Sequence, residues 1–433
     1  MTGYYIGLDI GTSGCRACAI DKAGELLAQT DAPLPASRVA GTHCEQSPAA
    51  WWHAVTQVLS EIAGRLGPAA KALAIDGTSG TLVLTDAAGQ PLAPALMYND
   101  SRAGDQAARI RELAPATSGA HGATSGAAKW LWLHEQQTFA VPPAHVLSQA
   151  DWLVGRLTGA FGISDENNAL KFGYDPINRH WPGWLAALGL PTACLPRVLP
   201  PGSPYRPLAT SVAAGLGLAP ATAVVTGTTD SIAAFLATGA NHSGDAVTSL
   251  GSTLALKVLT EQPIYAPDYG IYSHRLGARW LAGGASNCGG QVLKQFFTQA
   301  ELDRMTPLLR PDQPTGLDYY PLSGVGERFP VADAQLTARL TPRPAAEVDF
   351  FQGILEGLAR VEAEGYARLQ ALGAAAPRRV FSVGGGAANP AFMQIRARTL
   401  GFETLPPRHS EAAYGAALLA RNSQGEYYVF CSP

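Results

Sequence analysis

The feature that most constrains this chain is a turn it makes more than once. "IGLDIGTSGCRACAID" and "AIDGTSGTLVLTD" both set Gly-Thr-Ser-Gly between two apolar runs, and each has an aspartate close by, Asp9 and Asp76. A third stretch, "AVTSLGSTLALKVLT" from Ala246, repeats the plan with Gly251, Ser252 and Thr253. Ile6, Leu8 and Ile10 alternate before the first turn and the short side chains of "CRACAI" follow it, so strands joined by a hairpin are expected. The second half therefore restarts like the first.

Helical periods separate these hairpins. "EQSPAAWWHAVTQVLSEIAGRLG" predicts a helix with Ser47 as N-cap, Pro48 at its first position and Gly67 closing it. "SGAAKWLWLHEQ", "HVLSQADWLVGRLTG" and the small-residue segment "SEAAYGAALLA" read as further helices, and "ATAVVTGTTDSIAAFLATG" as strand, polar turn and helix. This alternation is α/β material, and 433 residues with 47% hydrophobic content suit two domains. The boundary is expected between 242 and 243, giving domains 1–242 and 243–433.

Composition excludes some partners. A formal net charge of -3 without a long basic run offers nothing to nucleic acid or an anionic membrane. The apolar stretches are short, and "MTGYYIGLDIG" has no charged leader, so a cytoplasmic protein is expected. Six scattered cysteines (Cys15, Cys18, Cys44, Cys194, Cys288, Cys431) fit free thiols. Cys15 and Cys18, three apart on a strand, point to opposite faces and cannot share a metal. His121, His134 and His274 lack metal-ligand spacing.

A turn of Gly, Thr and Ser exposes backbone N–H groups and hydroxyls with little bulk, so an anion can rest on it. Phosphate is the expected guest, although the P-loop pattern with its lysine and following helix is absent. Asp9 suits a magnesium ion held through water. Gly384 to Gly386 lie between a strand and a helix, where a ring or phosphate can approach the backbone or where positive φ is needed. Asp230, after "TGTT", reads either as a helix cap or as a catalytic group.

Taken together, "IGLDIGTSGCRACAID", "TGTTDSIAAF", "SLGSTLALK" and "VGGGAANPAF" resemble the FGGY family of carbohydrate kinases over essentially the whole chain. "EQSPAAWW", "AKWLWL", "SDENNALKFGYDP" and "AAYGAALLA" look like the family as well. The resemblance implies two actin-like, ribonuclease H-like domains with a central ligand cleft that closes on ATP, Mg2+ and a sugar or polyol. It implies that Gly11, Thr12 and Ser13 and the Gly251-Ser252-Thr253 loop handle phosphate, that Gly384, Gly385, Gly386 and Asn389 border the adenosine, and that Asp230 is the general base. It aligns Ser79, Gly80 and Thr81 with the family's sugar-contacting segment, where xylulokinases usually show Met-His-Gly and glycerol kinases Arg-Glu.

Asp76, Tyr98 and Asp100 are further candidates for sugar contact. "DGTSGT", "YNDSRA" and "GTTDS" look most like the small D-ribulose kinase and plant xylulose kinase subgroup, so D-ribulose is the first expectation and D-xylulose or another polyol the alternative. A rival of another class is a nucleotide-binding regulator without turnover; an actin- or chaperone-like ATPase is a third. A homodimer stays open, since no interface signature appears.

Overall fold

The computed structural model describes residues 3–423, which form two compact units. The first takes the described residues up to Ala237, those from His274 to Gly277 and those from His409 on; the second takes Thr238–Ser273 and Ala278–Arg408. By this division the last helix, Ala412–Asn422, groups with the first unit. Cys431 lies outside the described residues.

In the first unit the strands run in the order Pro204–Pro207, Ala223–Val225, Ala70–Gly77, Tyr4–Ile10, Gly14–Ile20 and Leu26–Pro33, with Thr228–Thr229 also paired to Ala70–Gly77. Tyr4–Ile10 is antiparallel to its hairpin partner and parallel to Ala70–Gly77. All seven of its residues are buried, because both faces are covered. Cys15 and Ala17 join the core under helix Pro48–Leu66, whereas Cys18 joins the core under helix Ala412–Asn422. The two thiols thus lie on opposite faces, and all five described cysteines are free and buried.

Helix Ala412–Asn422 lies directly on the first strand. A Cβ added at Gly7 would come within 1.9 Å of the Ala413 carbonyl oxygen, so the strand must have a glycine there. Helix Pro48–Leu66 starts as expected with Pro48 and ends at Gly67, whose φ is 76°. Ser47 stands at the N-cap but its side chain makes no capping hydrogen bond, a correction to the sequence reading. Ser125 and Ser148 do cap their helices, the latter in a reciprocal box with Asp151.

The second unit repeats the plan. Its strands run Arg279–Ser286, Leu254–Thr260, Asp245–Leu250, Arg379–Val383 and Glu403–Leu405, and Asp245–Leu250 is again antiparallel to its hairpin partner and parallel to the strand on its other side. The 25-residue helix Glu347–Ala371 and helix Pro390–Leu400 pack here. Between them lies a fully buried ion pair: Arg396 donates to Glu362 from Nε and Nη2, both at 2.6 Å, and from Nη1 to the Ser382 hydroxyl at 2.7 Å.

Candidate functional site

In the first unit the strand register brings four side chains into one row. Arg16 and Asp76 flank Asp9 on the two neighbouring strands, and Thr228 flanks Asp76. Arg16 Nη1 lies 3.3 Å from Asp9 Oδ2. Asp76 is fully buried; its carboxyl meets that of Asp9, and no other group hydrogen-bonds its oxygens among the described residues. Burial, then the charge of Asp9, then that of Asp230 push its acid well above the usual carboxylate range, and burial also raises Asp9. Two adjacent carboxyls, of which only Asp9 has a cationic side chain beside it, fit a magnesium ion. No group of three or more His, Cys, Asp or Glu able to hold a metal occurs among the described residues, so such an ion would keep water or phosphate as its other ligands.

The charge state has a thermodynamic consequence. A carboxyl whose folded pKa is raised binds its proton more tightly in the native state, so its cost to stability grows as pH rises above the normal carboxylate range. Asp76→Asn is therefore expected to raise the melting temperature of the Mg-free protein, by roughly 3 °C or more at pH 8 and by less at pH 5. Scanning calorimetry in chelator checks this. A lower melting temperature at pH 8 would contradict a buried Asp76 whose ionisation costs stability.

The first turn is pinned from below. Gln46 Nε2 donates to the Thr12 carbonyl at 2.8 Å and Leu34 N to the Ser13 carbonyl at 2.9 Å, which leaves Ser13 exposed at the tip. The second Gly-Thr-Ser-Gly is pinned differently. Gln149 Oε1 accepts from Thr78 N at 3.1 Å and from the Thr78 hydroxyl at 2.9 Å, and that hydroxyl lies 2.6 Å from Thr81 Oγ1. Gly80 has φ 83°, and the buried Ser79 hydroxyl has no partner among the described residues. Two turns of one sequence thus differ in surroundings: one is largely open, the other sunk in polar side chains.

The second unit holds a cavity of about 650 Å³. Gly251 and Ser252 line it beside Gly385, Gly386 and Asn389, with apolar walls from Leu355, Leu358 and Phe392. A flat base fits apolar walls, and phosphates fit the bare backbone of the glycine turns. Gly384 has φ 88°, and a Cβ there would meet the Leu250 backbone at 2.9 Å. Gly385 is different, since nothing lies within 4 Å of an added Cβ. Gly385→Val is expected to fold with an unchanged melting temperature and to raise KM for ATP by roughly tenfold. An unchanged KM would remove this cavity from nucleotide binding.

Other candidates have other places. Asp100 is fully buried and accepts from Cys44 N at 2.6 Å and from Arg102 Nη2 at 2.7 Å, which gives its carboxylate the duty of holding that turn rather than of meeting a sugar hydroxyl. Tyr98 is 45% exposed. Thr253 is exposed at its hairpin tip, and Asn389 caps helix Pro390–Leu400 through Phe392 N while lining the cavity. Sequence reasoning missed Gly290, Lys294, Asp303 and Thr306 in the cavity, and Gln149, Asn168 and Thr229 near Asp76. Of these, only Asn168 in "SDENNAL" and Thr229 in "TGTTDSIAAF" lie in segments that carried a signal.

The N-terminal domain model of the FGGY family of carbohydrate kinases matches residues 4–237, and the C-terminal domain model matches residues 246–422. The chain belongs to this family. A xylulose kinase of Streptomyces coelicolor is 33% identical to this FGGY member over 261 residues, 57% of the chain and 52% of the relative, so the match spans about half of that relative's length. The xylulose kinase of Escherichia coli is 27% identical over 414 residues, covering 91% of this chain and 84% of the relative. Among solved structures, a "xyloylose kinase" from Brucella ovis matches with a TM-score of 0.89 at 25% identity, over 99% of this chain and 93% of that one. Xylulose kinase from Rhodospirillum rubrum matches at 0.86 and 25%, over 98% and 90%. These likenesses bear out the expected α/β fold with two actin-like FGGY domains. No helix among the described residues is long and apolar enough to cross a membrane.

Proposed function

We propose that this FGGY family member transfers the γ-phosphoryl group of ATP to a hydroxyl of a ketopentose. The observation that carries the reading is the meeting of Asp9, Asp76 and Asp230 at the carboxyl ends of parallel strands, where the charge of Asp230 reaches the buried Asp76. A fully buried acid facing two further carboxyls is costly to keep, and such strongly perturbed acids cluster where chemistry needs them.

Phosphoryl transfer asks the protein for positioning, for charge stabilisation and for an acceptor of the hydroxyl proton. Asp230 is the proton acceptor: as the sugar oxygen bonds to phosphorus and the bond to the β-phosphate oxygen breaks, the hydroxyl proton passes to its carboxylate. Asp9 and Asp76 would hold Mg2+, which neutralises phosphate charge when bound. The bare turns at Gly11–Ser13 and Gly251–Thr253 hold phosphate oxygens on backbone N–H groups. The glycine-lined cavity of the second unit takes the adenosine.

D-Xylulose and D-ribulose are the acceptors to place first. The names of the aligned relatives support the former. Ser79, Gly80 and Thr81, standing where xylulokinases usually carry Met-His-Gly, support the latter. A coupled ADP-release assay with ATP and Mg2+ against D-ribulose, L-ribulose, D-xylulose, L-xylulose, ribitol and glycerol is expected to show turnover concentrated on a ketopentose. ATP binding with no stimulation by any acceptor would favour a regulator instead.

A further inference from the structure

Native proteins leave few buried polar atoms unpaired, and each such atom has a reason. Among the described residues eight buried side-chain atoms lack a partner, the contact of Asp76 with Asp9 apart: both Asp76 oxygens, Ser79 Oγ, Gln149 Nε2, Glu166 Oε2, Asn167 Oδ1, Asn168 Oδ1 and Thr229 Oγ1. All eight belong to the first unit. They are linked through two parallel strand ends: Thr228 and Thr229 lie opposite Asp76 and Gly77, Asn167 and Asn168 bond Thr228, and Gln149 packs on Gly77 and Thr78. Leaving aside Asp76, which the reading above gives to Mg2+, hydroxyl and amide donors and amide and carboxyl acceptors mixed in this way match a guest rich in hydroxyl groups, each of which both donates and accepts.

Gln149 is the member whose role is best defined. It is fully buried. The Thr78 backbone N–H can only donate, so the atom facing it is the carbonyl oxygen of the Gln149 amide, and Nε2 is a donor directed elsewhere. The amide is also locked by the Thr78 hydroxyl and by contact with Gly77, whose added Cβ would lie 3.2 Å from Oε1. A donor held this rigidly loses little entropy on pairing with a ligand.

We propose that Gln149 is a specificity-determining residue of the acceptor site, its Nε2 donating to one oxygen of the ketopentose chain that is not phosphorylated. This rests on the kinase reading above. A site built to hydrogen-bond a substrate hydroxyl rejects the analogue lacking it, because the buried donor is then left unpaired.

The test is a series of monodeoxy ketopentoses, built on the best substrate and assayed with the wild type and with Gln149→Met, which is near in size and has no donor. In the wild type one deoxy position should cost roughly tenfold or more in kcat/KM. In Gln149→Met the parent sugar should lose about as much, chiefly in KM, the same deoxy analogue should lose almost nothing further, and KM for ATP should stay within about twofold. Equal losses on the parent and every analogue, with the deoxy pattern intact, would assign Gln149 to supporting Thr78 alone and overturn the proposal. So would an unaltered variant. Should Gln149→Met fail to fold, Gln149→Glu keeps an oxygen for Thr78 and, assayed at a pH where its carboxyl is ionised, offers no donor, so the same series decides. Absence of turnover by the wild type with any acceptor would instead remove the kinase reading, and this inference with it.

Discussion

Asp230→Ala is expected to lower sugar-dependent kcat by roughly 10² to 10⁴, the usual worth of general-base assistance, while the affinity for ATP stays within a factor of about two. Asp230 opens helix Asp230–Ala237 directly after the short strand Thr228–Thr229, which pairs with the strand carrying Asp76. That placement ties the carboxylate to the sheet rather than to a mobile loop. Alanine removes the proton acceptor and also some of the charge that opposes ionisation of Asp76. The variant also gives up the hydrogen bond that Asp230 Oδ1 accepts from Ser231 N at 2.6 Å, so its melting temperature is measured beside its activity. Steady-state ADP release together with an ATP titration by calorimetry separates the two effects. A loss of less than threefold would sink the base assignment, and a parallel loss of ATP affinity would point to a phosphate-side role instead.

The second large effect concerns stability. Arg396→Met is expected to destabilise the second unit by about 3–5 kcal/mol, the cost of leaving one member of a buried ion pair uncompensated. Glu362 has no exposure, and its remaining partner is Thr248, whose hydroxyl donates at 2.5 Å and also meets the Tyr366 hydroxyl at 2.7 Å. A network satisfied this fully cannot replace the guanidinium with water. Replacing both Arg396 and Glu362 by apolar residues of similar volume should recover most of the loss, because the penalty lies in the orphaned charge rather than in the missing attraction. Chemical denaturation of the two variants checks this, and equal destabilisation by the single and double changes would contradict it.

Much of the fold was legible because both units are organised by a short local pattern. The hairpins at Gly11–Gly14 and Gly251–Thr253, the helix begun by Pro48 and closed by Gly67, and the opposite faces of Cys15 and Cys18 all follow from periodicities of two and 3.6 and from turn chemistry. Ser47 failed as a capping side chain although its position was right, since capping depends on a rotamer that residue type alone does not set.

The site was legible only in part. Asp9 and Asp76 stand at strand ends beside turns that chemistry singles out and Asp230 opens a helix after another, but the raised pKa of Asp76 follows from its burial against segments more than sixty residues away in sequence. Asp100 illustrates the opposite case, a plausible sugar ligand whose carboxylate Arg102 and Cys44 already hold. Gln149 carried no signal at all, because a glutamine at a helix start is ordinary until the chain folds it onto Thr78.

By itself, then, the amino-acid sequence determined the duplicated α/β plan, the phosphate-compatible turns and the residue types able to move a proton, all of which depend on neighbours within a few positions. Only the tertiary structure decided which carboxylates lose their solvent, which polar atoms remain unpaired and that helix Ala412–Asn422 belongs to the first unit. Burial and like-charge proximity are properties of distant segments brought together, and no local pattern encodes them.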